Sequence, residues 1–243
     1  MFNIFTLFKK KSVWGRSYNN LPIKADYRVH DSAFKIIYNK LGSFNKIKAL
    51  DLASGTGSFA KRLRDNFSEW EIEINDFYDD SLVSNFTKHK IDLNNNFSNN
   101  FINFNYDLVI SIEVLEHLEN PWNFFRETRK LLKKGGVLIL STPNSNSMLD
   151  RLIYLIRGHS FYFGKSGFTN SDGHITQVPD WLLQKIAKSS GFSKVDLYDD
   201  VDTRPHMGLI ASFKILTLMP LSFFFAKDRN NRSINIYSCT FDG

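Results

Sequence analysis

From residue 47 onward, apolar runs of strand length alternate with amphipathic stretches of helix length, and that alternation leaves few folds open. The runs IKALDLA (47–53), EIEIND (71–76), HKIDL (89–93), YDLVISIEV (106–114) and GVLILSTPN (136–144) predict five strands. SFAKRLRDNF (58–67) and PWNFFRETRKLLKK (121–134) predict helices between them. The second helix opens on Pro121 in its first turn and is expected to stop at Gly135 and Gly136. Strands separated by helices at this spacing form a mostly parallel, doubly wound α/β sheet with helices on both faces. Farther on, VPDWLLQKIAKSSGF (178–192) predicts a helix opened by Pro179, Asp180 and Trp181 and ended by Gly191. KVDLYDD (194–200) and SINIYSCTF (233–241) predict two more strands. The sheet is then seven-stranded and Rossmann-like, with an antiparallel strand at one edge.

A chain of 243 residues, 42% apolar and 23% charged, has material for one folded domain and is not disordered throughout. Its net charge of +6 would suit a nucleic acid or an anionic membrane, yet the only long basic run is 9–11 and the other cations are interspersed with acids. A solvated surface accounts for that charge, and a nucleic-acid partner is not expected. The single cysteine, Cys239, excludes an internal disulfide and a cysteine zinc cluster, in keeping with a reducing cytoplasm. In MFNIFTLFKKK the cations follow the apolar residues, the reverse of a signal peptide. Two readings of this start stay open: Phe2, Ile4, Phe5, Leu7 and Phe8 laid on a membrane surface, or a packed or frayed terminus.

The turn LDLASGTG, between the first strand and its helix, sits where open α/β sheets bind ligands. Gly55 and Gly57 let a ligand approach the backbone, and the helix start behind them favours negative charge. Asp51, a few residues earlier, would repel a pyrophosphate, and no G-x-x-x-x-G-K-[ST] supplies a compensating lysine. Acid and loop together suit a ligand with an ammonium and a carboxylate, such as an amino-acid-bearing nucleoside. Asp76 follows the glycines by about 20 residues, where an acid holds ribose hydroxyls.

LDLASGTG, INDFYDDSL, KIDL and YDLVISIEVLEHLENPWNFFRETRKLLKKGGVLILSTPN, in this order, resemble the motif series of class I S-adenosylmethionine-dependent methyltransferases. The branch most resembled is that of the ubiquinone-biosynthesis O-methyltransferases. The likeness covers 46–144 and resumes at GHITQVPDWLLQKIAKSSGF. It implies a single methyltransferase domain over 1–243 that binds S-adenosylmethionine. Asp51 would then face the methionine ammonium, with Gly55 and Gly57 as backbone contacts and Ala53 where the family often has glycine. Asp76 and Phe77 would hold the ribose side, Asp92 and Leu93 the adenine, and Ser111 and Glu113 the methionine end.

Just past the fourth strand, IEVLEHLENP carries Glu113, Glu116 and His117. Some relatives bind a divalent ion through such an E-x-x-E-H, and His174 in SDGHIT would complete a set of Glu113, Glu116, His117 and His174. Many others use the tetrad as a metal-free pocket wall, which is the expectation here. His117 and His174 are then the candidate general bases for a hydroxyl acceptor.

Three segments fall outside the family rhythm: an N-terminal extension (1–23), an acceptor-pocket lid (145–177) and a hydrophobic insertion (203–232). Tyr154, Phe161, Tyr162, Phe163 and Phe168 would line the lid or pack in the core. The apolar run 207–229 is broken by Lys214 and Pro220, which argues against a membrane span. It leaves a membrane-surface flap, a wall for an apolar acceptor, or a packed helical pair. The expected activity is methyl transfer to a small-molecule, sugar or lipid-linked acceptor on oxygen, in the cytoplasm or at a membrane surface. The alternatives are a metal-dependent RNA 2′-O-methyltransferase, which would need a basic groove, and a non-catalytic partner subunit of the same fold.

Overall fold

The computed structural model describes residues 16–102, 104–163, 173–198 and 232–243. A short hairpin, β1 (Ser17–Tyr18) and β2 (Leu21–Pro22), precedes helix α1 (Tyr27–Leu41). The order continues with β3 (Lys48–Leu52), α2 (Ser58–Asn66), β4 (Glu71–Asn75), β5 (Thr87–His89), β6 (Tyr106–Ile112), α3 (Pro121–Leu131) and β7 (Leu132–Pro143). It closes with α4 (Met148–Arg157), α5 (Asp180–Ser189), β8 (Lys194–Tyr198) and β9 (Ile234–Phe241).

Seven strands form one sheet in the order β5-β4-β3-β6-β7-β9-β8. The pairs among the first five are parallel; β9 runs antiparallel to both β7 and β8, so the antiparallel strand sits one place in from that edge. After β3 the chain winds one way through β4 and β5, and from β6 it winds the other way. The crevice between the carboxyl ends of β3 and β6 is therefore the topological switch point.

Alternate residues of each inner strand serve two cores, as the pleat requires. Ala49, Leu108, Ile110 and Ile139 face α1 and α2 through Val29, Ile37, Phe59 and Leu63. Leu50, Val109, Leu138 and Leu140 face α3 and α5 through Phe124, Phe125 and Leu183. Strands with both faces covered explain the nearly continuous apolar runs of the sequence.

Two boundaries and one element differ from expectation. The strand expected at 89–93 is β5, two residues earlier at Thr87–His89, paired with Glu73–Asn75. It ends because the Asn75 side chain, not a strand, takes the N–H and C=O of Ile91. Gly135 and Gly136 do not stop a helix: α3 ends at Leu131 and β7 already pairs Leu132 with Tyr106. They lie at a register shift within that strand, Gly135 at φ 80°, and a Cβ on Gly136 would lie 2.8 Å from the Lys133 carbonyl oxygen. Helix α1 is an addition to the expected elements, although Val29, Ala33, Ile36 and Ile37 recur at helical spacing and are all buried. Its N-cap is Asp26, which accepts the Arg28 N–H at 3.0 Å.

The membrane-facing residues expected at the N-terminus, Phe168 and nearly all of the 203–232 insertion lie outside the described residues. Among the described residues no helix is long and apolar enough to cross a membrane.

Candidate functional site

Where β3 ends, the chain turns through three left-handed residues: Ala53 (φ 53°), Gly55 (φ 54°) and Gly57 (φ 81°). Two are glycines and adopt this at no steric cost; at Ala53 the Cβ makes it unfavourable by about 1 kcal/mol. Each turn of the loop is pinned. Ser54 N donates to the Asn75 carbonyl at 2.9 Å, and Gly55 N donates to Asp76 Oδ2 at 2.7 Å. Gly57 N donates to the Ser54 carbonyl at 2.9 Å and begins α2 as its N-cap. The other Asp76 oxygen accepts Tyr78 N at 2.9 Å, so this carboxylate joins the loops after β3 and β4 and keeps lone pairs for a ligand.

Asp51 is only 3% exposed. The Ala60 N–H at the start of α2 reaches one of its oxygens, while Oδ2 is buried without a hydrogen-bond partner. Burial, reinforced by the charge of Asp76, pushes its pKa up to about 8. Ser111, at the end of β6 across the crevice, also has a buried hydroxyl with no partner. Two unanswered polar groups at a switch point mark a place for a ligand.

On the other side of the loop, Asp92 accepts from Asn94 N at 2.9 Å and from Asn95 Nδ2 at 3.1 Å. Asn94 Oδ1 accepts the Glu119 N–H at 2.9 Å, and Asn123 Nδ2 donates to the Asn95 carbonyl at 3.0 Å. This turn is thus tied to the segment after β6. Leu93 is packed in the core, and Phe77 is exposed, edge-on to Tyr78. The sequence singles out Asp92 but not the asparagines that hold it, since a lone Asn carries no positional signal.

The E-x-x-E-H segment divides. Glu113 (φ 55°) turns to Ser141: its N–H donates to Ser141 Oγ at 2.9 Å, and that hydroxyl donates to Glu113 Oε1 at 2.7 Å. Glu116 is fully buried; its Oε2 accepts from Thr142 Oγ1 at 3.2 Å and its Oε1 has no partner. Glu116, His117 and His174 bring one donor atom each to within 4.8 Å of one another, with Glu113 outside that cluster. Of the four residues in the metal-binding alternative, three converge, and Glu113 is held by Ser141 instead. His174 reaches this place because Ile175 and Thr176 donate to the Glu116 carbonyl at 2.9 and 3.0 Å. The two imidazole centroids are 4.9 Å apart, and the Tyr162 and Phe163 rings pack on His174. Burial lowers the His174 pKa to about 4, and it raises Glu113 to about 7 and Glu116 well above the carboxylate range.

A cavity of about 300 Å³ is lined by Ser145, Asp150, Arg151, Tyr154, Leu155 and Gln177. Asp150 shapes it: buried, it accepts Ser160 Oγ at 2.7 Å and Phe161 N at 2.6 Å and so fixes the turn after α4.

These titrations predict a stability profile. Asp51, Glu113 and Glu116 have folded pKa values above their unfolded ones, so the folded state holds protons that the unfolded state has released. Stability from this source falls as pH rises toward about 8. His30 and His174, both lowered to about 4, act oppositely, but only below about 6.5. Denaturation midpoints are expected to fall between pH 6.5 and 8.5, and Asp51→Asn is expected to flatten that fall. An Asp51→Asn profile parallel to the wild type would contradict the buried-acid assignment.

Comparisons with known proteins agree with the fold. A family model described as a methyltransferase domain matches residues 28–197. A ubiquinone biosynthesis O-methyltransferase of Ruegeria pomeroyi is 46% identical over 41 residues, 17% of this chain and 16% of that protein. The likeness thus spans only about a sixth of that relative's length. Among solved structures, a SAM-dependent methyltransferase from Archaeoglobus fulgidus superposes with a TM-score of 0.57 at 13% identity, covering 87% of this chain and 94% of that one. Haemonchus contortus phosphoethanolamine N-methyltransferase 2, solved with S-adenosyl-L-methionine, gives 0.53 at 13% identity over 88% of this chain and 53% of that one. At such identities the structural likeness is one of fold.

Proposed function

Because this chain belongs to the methyltransferase-domain family, which its residues 28–197 match, we propose that it moves the methyl group of S-adenosylmethionine to an acceptor oxygen. The acceptor class is a small molecule, a sugar or a lipid-linked intermediate. The observation that carries this is the Asp51 carboxylate, buried with an unpartnered oxygen beside the left-handed glycine loop. That arrangement fits the cofactor: the acid waits for a cation, and the Asp76 carboxylate that holds the loop keeps lone pairs for hydroxyls. Asp51 and Ser111 would hold the methionine end, Asp76 the ribose hydroxyls, and Asp92 the adenine amino group. When bound, the cofactor supplies a methyl group on a positively charged sulfur, a ready electrophile.

The protein's tasks are then alignment, water exclusion and proton removal. Tyr162 and Phe163 wall the acceptor side against water. His174, kept neutral by burial, orients the acceptor hydroxyl. His117, 4.9 Å away, takes its proton as the oxygen attacks. Support for oxygen as the nucleophile comes from this imidazole pair and from the short likeness to O-methyltransferases.

Cofactor binding should depend on pH through Asp51. An ammonium beside it favours the ionised carboxylate, so binding below about pH 8 releases a proton. Affinity for S-adenosylhomocysteine is expected to rise with pH up to about 8 and then level. Calorimetry in buffers of different ionisation heat reads the released proton, and a pH-independent affinity would contradict the role of Asp51.

A second reading has one observation in its favour: Glu116, His117 and His174 converge tightly enough to share a divalent ion. Such an ion would lower the pKa of the acceptor hydroxyl in place of a base. Turnover unchanged by EDTA keeps the histidines as proton acceptors; loss with EDTA and recovery with Mg²⁺ or Mn²⁺ assigns them to the ion. Association of the 203–232 segment with a membrane surface belongs to the lipid-linked form of this reading, and sedimentation with anionic liposomes tests it.

A further inference from the structure

Asn75 is the last residue of β4, 0% exposed, and immediately precedes the ribose acid in INDFYDDSL, with no role of its own assigned by the resemblance. Two loops are bonded to it. Its carbonyl accepts Ser54 N at 2.9 Å, which anchors the glycine loop. Its side-chain amide takes both backbone groups of Ile91: Oδ1 accepts Ile91 N at 3.1 Å, and Nδ2 donates to the Ile91 carbonyl at 3.3 Å. The next residue, Asp76, donates its N–H to the His89 carbonyl at 3.1 Å. Strand pairing after β5 stops where this amide takes over, one residue before Asp92.

We infer that Asn75 is a positioning residue that sets Asp92 against the base of the bound nucleoside and ties that placement to the glycine loop. This rests on the cofactor reading above. An amide presents one donor and one acceptor side by side, the complement of a backbone C=O and N–H. Asn75 is fully buried and Ile91 half-buried, so removing the amide takes away the hydrogen-bond partner of both Ile91 groups. Segment 90–93 must then move to find partners, and Asp92 moves with it. On its far side the same turn is held through Asn94 and Asn95 to Glu119 and Asn123, so the displacement is expected to tilt the Asp92 carboxylate rather than release the loop.

The test uses the full chain and two ligands, S-adenosylhomocysteine and S-inosylhomocysteine, whose base has an oxygen in place of the amino group. A charge-assisted hydrogen bond from that amino group to Asp92 gives the wild type a preference of about tenfold or more for the adenine ligand. In Asn75→Ala the preference is expected to shrink to within about threefold, mainly through loss of the adenine ligand. Asp76→Ala, which acts on the ribose, is expected to weaken both ligands and keep the ratio. A merely structural role for Asn75 would lower both affinities together, and an unchanged ratio overturns the inference. Should Asn75→Ala not fold, the isosteric Asn75→Asp keeps the acceptor for Ile91 N, lacks the donor for its carbonyl, and is expected to lose most of the preference. A wild-type ratio in that variant overturns the inference equally. Wild-type protein that binds adenine and hypoxanthine ligands alike rules out Asp92 as the reader of the base, and Asn75 with it. Wild-type protein that binds neither ligand rejects the cofactor reading itself, a result distinct from all the others.

Discussion

Asp76→Ala is expected to weaken S-adenosylhomocysteine binding by about a hundredfold, near 3 kcal/mol, the size of two charge-assisted hydrogen bonds lost together. One carboxylate performs two tasks. It holds the glycine loop and the next turn through Gly55 N and Tyr78 N, and its remaining lone pairs are those proposed to take the ribose hydroxyls. Alanine removes all of these acceptors, so the variant loses the ligand contact and the loop shape at once. Asp76→Asn keeps one acceptor oxygen and should fall between wild type and alanine. Removing the charge of Asp76 also relieves Asp51, whose pKa that charge helps to raise, so the pH at which affinity levels should move below about 8. Calorimetric titration of the variants checks both effects. An alanine variant that binds within a fewfold of wild type would remove Asp76 from the site.

Gly57→Ala is the second change with a large expected effect. The residue sits at φ 81°, where an L side chain costs about 1 kcal/mol, and an added Cβ would lie 2.5 Å from Val83 Cγ2, closer than any real contact. Overpacking of this kind adds about 1–3 kcal/mol, so the sum is about 2–4 kcal/mol, or a melting point lowered by about 5–15 °C. Two comparisons separate the causes. Gly158 lies at φ 73° with nothing within 4 Å of its would-be Cβ, so Gly158→Ala should show the backbone cost alone. Val83→Ala added to Gly57→Ala should recover the steric part and leave the backbone part. Equal losses at both glycines would contradict the close approach of Val83.

Much of the fold is legible in the sequence because parallel strands buried on both faces write themselves as apolar runs, as Tyr106–Ile112 does. The glycine loop is legible for a related reason: Gly55 and Gly57 stand where the backbone needs positive φ, and Asp51 and Asp76 flank them. What escapes depends on partners distant in sequence. Nothing in HKIDL says that a side chain of β4 will replace the next strand pair. Nothing in GG distinguishes a helix stop from an irregularity in a strand until Tyr106 is seen opposite Leu132. Glu113 and Glu116 look equivalent in E-x-x-E-H. They part because Ser141 lies 28 residues from Glu113 in sequence but at hydrogen-bond distance in space. Helix α1, by contrast, carries a legible apolar spacing in Val29, Ala33, Ile36 and Ile37.

Calorimetry of the wild-type chain with S-adenosylhomocysteine at pH 6.5, 7.5 and 8.5 decides whether the Asp51 loop holds the cofactor. The expected result is one site per chain, affinity that rises across the first interval, and proton release that shrinks toward the highest pH as Asp51 becomes ionised beforehand. No heat and no thermal shift at any of the three values would contradict it.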